Sequence, residues 1–251
     1  MKRLLNKGPV LLVLLMMAVA WEWLVVLFEV PHFIIPRLSD VFAAIWDNRA
    51  LLAKHWIVTW YEALLGLLFS VVFGVLAALW IESSRLARKA IYPLVVASQT
   101  IPIIALSPIM VLWFGYEIWS KLAVVILFTF FPIAVNTADG FRSADPDIGD
   151  LLRTMGANRW QLFRKWKIPS ALPGFFTGLK MGATISVGGA TLGEWLGAES
   201  GLGVFTRRAS NMLRAEDVFA GVILLSLMGI LMFWAAKLLE QLVLGRSRRT
   251  E

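Results

Sequence analysis

The chain has 251 residues, 59% of them hydrophobic and only 16% charged, with a net charge of +7 and a mean hydropathy of +0.73. Soluble domains carry charge on about a quarter of their residues, so an ordinary soluble fold is excluded, and the positive balance reads as membrane topology rather than nucleic-acid binding. With no cysteine, disulfides, thiolate metal sites and cysteine nucleophiles are excluded too.

Apolar runs at 9–30, 56–81, 91–114, 118–137, 171–193 and 218–244 predict an all-α integral membrane protein of about six transmembrane helices, each of roughly 20 residues. One membrane domain, 1–251, is expected. The basic start and Ala18-Val19-Ala20 of the first run also fit a cleavable signal. Against that reading, hydrophobicity resumes from Trp21 through Phe28 and makes a full crossing length. Glu22 is expected to face protein and Glu29 the outer surface, because a carboxylate against lipid is costly. In 36–54, Val41, Phe42, Ile45 and Trp46 share one helical face, which predicts a short helix lying on the outer surface of the membrane. His32 and His55 lie between the first two runs with no ligand spacing, so both are expected at the surface or interface.

The third run contains Gln99, Thr100 and Pro102. An unpaired amide is expensive in lipid, so these residues are expected to face protein or water, with the proline providing a bend.

Basic residues outside the runs gather at the amino terminus (Lys2, Arg3, Lys7), in 82–90, in 138–170 and in the tail (Arg246, Arg248, Arg249). Such residues stay on the cytoplasmic side during insertion, so both termini and the 138–170 loop are expected there. Within that loop Asp145 suits an N-cap, Pro146 the first helical position and Asp147 the positive end of the dipole. A short helix from about 146 through Leu151, Leu152 and Met155 is predicted, then a turn at Gly156, then a second stretch from Arg159 to Lys167. Pro169 and Pro173 punctuate the entry to the fifth span. Amphipathic rest on lipid headgroups and docking of another protein both suit such a helix–turn–helix knob.

The loop resembles the signature of the permease subunits of ATP-binding-cassette importers: Glu-Ala-Ala, three residues, Gly, nine residues, then Ile-x-Leu-Pro. Here Asp150-Leu151-Leu152, Gly156 and Trp166-Lys167-Ile168-Pro169 keep the spacing, with acid, glycine and proline carrying the identity. Gln99 to Pro108, Trp113-Phe114-Gly115, Phe131 to Thr137, Arg142 to Pro146 and Gly193 to Gly203 look like the nitrate, taurine and alkanesulfonate branch. Within it, the likeness leans to permeases for thiamine pyrimidine precursors and for riboflavin. The resemblance implies the type I importer permease fold in a bacterial inner membrane and alternating access as a homodimer. It further implies an extracytoplasmic capture protein and an ATPase subunit that binds ATP and Mg. By the same resemblance Asp150, Leu151, Leu152, Gly156 and Pro169 form the part that engages the ATPase.

In the fifth span Gly174, Gly178, Gly182, Ser186 and Ala190 recur every fourth residue, a stripe of small residues that either packs tightly within one subunit or borders the pathway. On the second alternative Thr184 and Ser186 join Gln99, Thr100 and Pro102 as pathway residues. Lys180 is expected to reach the cytoplasmic headgroups. Glu194 is read as an outer gate or capture-protein contact, or equally as a cap on the helix that follows.

No Gly-x-x-x-x-Gly-Lys-Ser/Thr loop, catalytic set or metal cluster occurs in the sequence, so nucleotide chemistry belongs to another chain, and no catalytic or metal residue is expected in this one. The alternative of an ion-gradient-driven carrier or channel predicts paired ionisable residues inside spans and an internal repeat. Glu22 and Lys180 stand out as candidates for the first, and no repeat is evident.

Overall fold

All six apolar runs become helix, because in lipid a backbone satisfies its own polar groups only by helical or closed-sheet pairing. A computed structural model describes residues 8–98 and 100–247. They form α1 (Gly8–Leu27), α2 (Leu38–Asp47), α3 (Arg49–Ser83), α4 (Arg85–Ser98), α5 (Ile103–Phe114) and α6 (Ile118–Arg142). The knob follows as α7 (Pro146–Thr154) and α8 (Arg159–Leu162), then a π-turn (Phe163–Lys167), α9 (Ile168–Trp195), α10 (Leu202–Asn211) and α11 (Ala215–Ser247).

Among the described residues, three helices are long and apolar enough to cross a membrane: α3, α6 and the Ala215–Gly245 part of α11. The α4–α5 pair, bent by 99°, makes a fourth if it counts as one span. Six helical segments therefore stand where six spans were expected, but not all meet that standard. In α9 the reason is composition, since the small stripe and Lys180 dilute a helix of 28 residues. The third run is two helices rather than one bent helix. Pro102 sits at the N-cap of α5 with extended backbone angles, since its ring cannot continue a helix from α4.

The bundle centres on α9, which packs on α6, α11 and α3, while α3 also packs along α6. Leu67, Val125, Ile133, Ala183, Val187 and Met228 form the core between them. The small stripe explains how close α6 and α9 come. A methyl group added at Gly178 would stand 2.5 Å from the Pro132 carbonyl oxygen, so only hydrogen fits there without moving a backbone. The stripe is thus the packing face within the subunit. Leu15, Trp23 and Leu27 on α1 and Leu76 and Trp80 on α3 remain exposed, as befits surfaces whose solvent is lipid tails.

On α2, Val41 and Ala44 are buried with Ala220 of α11, whereas Phe42 and Trp46 stay exposed. The expected single face is therefore divided between protein and surroundings. Glu22 does face protein: it accepts from Ser39 N–H at 3.1 Å and Ser39 Oγ at 2.7 Å, closing the first turn of α2 from outside. Only Asn48 separates α2 from α3, so α3 begins before the apolar run that predicts it and takes in His55.

Candidate functional site

The knob is built by local rules. Asp145 accepts from Asp147 N–H at 2.9 Å and caps α7, with Pro146 at its first position. At the other end Gly156 takes φ +81°. Its N–H reaches Arg153 O and Ala157 N–H reaches Leu152 O, both at 2.9 Å, the paired closure of a left-handed helix stop. Asn158 and Gln161 then form a reciprocal capping box that starts α8. Ile168 N–H bonds back to Phe163 O across the π-turn, which brings the chain into register ahead of Pro169, a residue with no N–H to give.

This arrangement is anchored at its base and open at its tip. Trp166 is buried, donating Nε1–H to Asp145 O at 2.9 Å, with its ring against Gly149. Lys167 bonds Phe141 O at 3.2 Å and pairs with Glu82 at 3.0 Å. By contrast Ile148, Leu151, Met155 and Trp160 are 50–74% exposed. Asp150 is exposed and paired with Arg153 on its own helix, and Leu152 is half-buried. Pro169 lies in the first turn of α9. Four large apolar side chains held in water by a rigid, capped frame make a surface suited to a partner.

A second feature lies along the bundle. Phe128, Phe131, Pro132 and Asn136 of α6, Thr177, Lys180, Met181, Thr184 and Ile185 of α9 and Phe233 of α11 line a cavity of about 600 Å³. Asn136 donates Nδ2–H to Pro132 O at 2.7 Å. Lys180 pairs with Glu240 of α11 at 2.7 Å, so it is held across the helix interface at the cavity wall rather than reaching outward. Thr184 lies on that wall. Ser186 does not: it is wholly buried and bonds Ala183 O at 2.9 Å, since it belongs to the stripe that faces α6. Thr100 is exposed, with its hydroxyl on Ala97 O at 2.7 Å, and neither it nor Pro102 borders this cavity. Gln99 lies outside the described residues, as do Lys2, Arg3, Lys7, Arg248 and Arg249.

Glu194 is placed differently from a surface contact. It is 0% exposed and accepts from Thr59 Oγ1 and from Gly203 N–H, each at 2.5 Å. Thr59 Oγ1 accepts from Leu202 N–H, and His55 Nδ1 from Gly201 N–H, both at 2.8 Å. These side chains satisfy the free amides at the start of α10, so Glu194 is a cap, and His55 is a buried partner rather than an interfacial residue. Beside them Glu62 is buried and lies 3.5 Å from Lys121. His32, as expected, is exposed.

Sequence reasoning missed Asn136, Phe128, Phe233, Glu62, Lys121 and Glu240. Ionisable residues inside apolar runs were the available signal, at Glu62, Lys121 and Glu240. The two resulting pairs, buried Glu62–Lys121 and half-buried Lys180–Glu240, show that pairing inside apolar helices does not separate an ion-driven carrier from a motor-driven one.

Comparison with known proteins separates them. The profile of the family of binding-protein-dependent transport system inner membrane components matches residues 70–245, and the chain belongs to that family. It is a multi-pass permease subunit of an ABC importer in the inner membrane, not itself catalytic. Over 97% of its length it is 44% identical to the formylaminopyrimidine transport permease protein ThiX of Halalkalibacterium halodurans, covering 98% of that protein. It is 33% identical, over 94% of its length, to the riboflavin transport system permease protein RibX of Chloroflexus aurantiacus, covering 88% of it. The fold matches a chain of an inward-facing MetNI methionine ABC transporter with a TM-score of 0.68 at 20% identity, covering 78% of this chain and 98% of that one.

Proposed function

We propose that this permease carries an aminopyrimidine of the thiamine-precursor type, with the cavity between α6, α9 and α11 as its wall of the pathway. The 44% identity to a formylaminopyrimidine permease along nearly the whole chain carries this reading. The cavity's chemistry supports it: three phenylalanine rings offer faces to a flat heteroaromatic ring, and the Asn136 amide keeps one donor and its carbonyl oxygen for ring nitrogens and an exocyclic amine. Sulfonate, taurine or nitrate fits less well, because the one lysine on the wall is neutralised by Glu240 at 2.7 Å. Riboflavin, also flat and heteroaromatic, is the second reading, supported by the 33% identity to RibX.

Two copies form the pathway, each presenting its cavity wall to the other. The α7 tip, with Asp150, Leu151, Leu152 and Gly156, engages an ATPase subunit on the cytoplasmic side, where both termini also lie, and a capture protein docks outside. ATP binding draws the two knobs together and opens the dimer axis outward. Hydrolysis returns it to the inward-open form.

The test is uptake into proteoliposomes holding this chain with its ATPase, fed by the capture protein. Formylaminopyrimidine uptake that requires ATP is expected, with no uptake from an ion gradient alone. ATP-driven uptake of taurine or of riboflavin in its place would overturn the cargo assignment.

A further inference from the structure

Where α3, α6 and α9 end on the knob side, Arg88, Arg142, Arg153 and Lys167 gather around Glu82 and the Trp166 ring, lining a polar pocket of about 290 Å³. Glu82 pairs with both Arg88 at 2.7 Å and Lys167 at 3.0 Å. Arg142 has Asp139 at 3.7 Å, and Arg153 has Asp150 beside it. Four cations thus share three carboxylates, which leaves one positive charge in excess. Arg88 adds an unmet donor, since its Nε is buried and finds no hydrogen-bond acceptor among the described residues.

We propose that this pocket is a binding site for the phosphate of an acidic phospholipid headgroup. The chemistry fits on three counts. Guanidinium groups present planar pairs of N–H donors matched to phosphate oxygens. The surplus charge is of the right sign and size for a phosphodiester. The level fits as well: Glu82 lies one residue before the end of α3, Arg142 ends α6, and Lys167 immediately precedes α9, so the cations stand at the boundary of the bundle where headgroups lie. Location also favours lipid over an acidic partner protein. Glu82, Arg88 and Arg142 come from the ends of α3, α4 and α6 and meet Arg153, Trp166 and Lys167 at the base of the knob, whereas the exposed apolar residues offered to a partner, Ile148, Leu151, Met155 and Trp160, do not line this pocket. A headgroup held here touches α7 through Arg153 and the α9 entry through Lys167, and so stiffens the joint between knob and bundle.

The full-length chain in nanodiscs of mixed phosphatidylglycerol and phosphatidylcholine provides the test, with retained lipid counted by native mass spectrometry. Wild type is expected to hold phosphatidylglycerol selectively, and Arg142→Gln, an exposed change that leaves both Glu82 pairs intact, to lower its retention about fivefold, as for the loss of one cation near an anionic surface. Thermal unfolding in pure phosphatidylcholine, equal for the two proteins, establishes that the variant is folded; Lys167→Gln serves as the second variant. Equal retention of both lipids, or no change in either variant, overturns the proposal. Inorganic phosphate that displaces the lipid at millimolar concentration assigns the pocket to a soluble anion and overturns it as well. Loss of ATPase binding with lipid retention intact assigns it to a protein contact, with the same result.

Discussion

Thr59 is the residue on which the end of the bundle where α10 begins turns. Its hydroxyl accepts from Leu202 N–H on α10 and donates to Glu194 on α9, while its own backbone belongs to α3. Three elements therefore meet at one oxygen that is fully buried. Replacing Thr59 with alanine strands the Leu202 amide and one oxygen of the Glu194 carboxylate away from water, the other oxygen keeping Gly203 N–H, at about 1–3 kcal/mol for each unmet group. We expect Thr59→Ala to lower the thermal unfolding temperature of the detergent-solubilised chain by several degrees and Thr59→Ser to recover most of it. Wild-type stability for the alanine variant would refute the capping role. The same geometry explains why Glu194 was only half legible. Its place beside a glycine-rich turn allowed both a gate and a cap, and the choice depended on Thr59, 135 residues away.

At the level of elements, the knob is the segment most readily deduced, because its structure is made by near neighbours. The Asp145 cap, the Pro146 start, the Gly156 stop and the Asn158 box each join residues no more than five positions apart. Open space surrounds the position where a Gly156 side chain would project, so substitution there acts through the backbone alone. An L-residue in the left-handed region costs about 1–2 kcal/mol. Gly156→Ala is expected to weaken ATPase co-purification and ATP-driven uptake, and Gly156→Asn to do so less, with membrane-bundle stability unchanged in both. Leu151→Asp, at a side chain 60% exposed, is expected to abolish ATPase association while shifting stability by no more than about 0.5 kcal/mol. Retained association would exclude α7 from the interface. The α4–α5 break was less legible, since Pro102 signals an interruption but not its angle.

For the whole molecule, the cysteine-free sequence offers a direct probe of the pathway. A single Thr184→Cys or Asn136→Cys variant is expected to react with a membrane-impermeant thiol reagent supplied only from the ATPase side in the inward-open importer, and to lose that reactivity when the ATPase is trapped with ATP. Ser186→Cys, two residues from Thr184 but wholly buried against α6, is expected to stay unreactive in both states. If the Ser186→Cys variant reacts and the Thr184→Cys variant does not, the pathway runs along the other face of α9.

Composition and apolar length by themselves determined that this is a helical membrane protein, and spacing within one loop determined its resemblance to motor-driven permeases. Both are local properties, fixed by hydropathy, capping and glycine conformation over a few turns. Only the tertiary structure decided which face of α9 is packing and which is wall, because a stripe of small residues serves either purpose until a neighbouring helix approaches it. It likewise decided that Lys180 meets Glu240 and that Glu62 meets Lys121, since each pair joins residues about 60 positions apart whose charges reveal nothing of their partners until the helices pack.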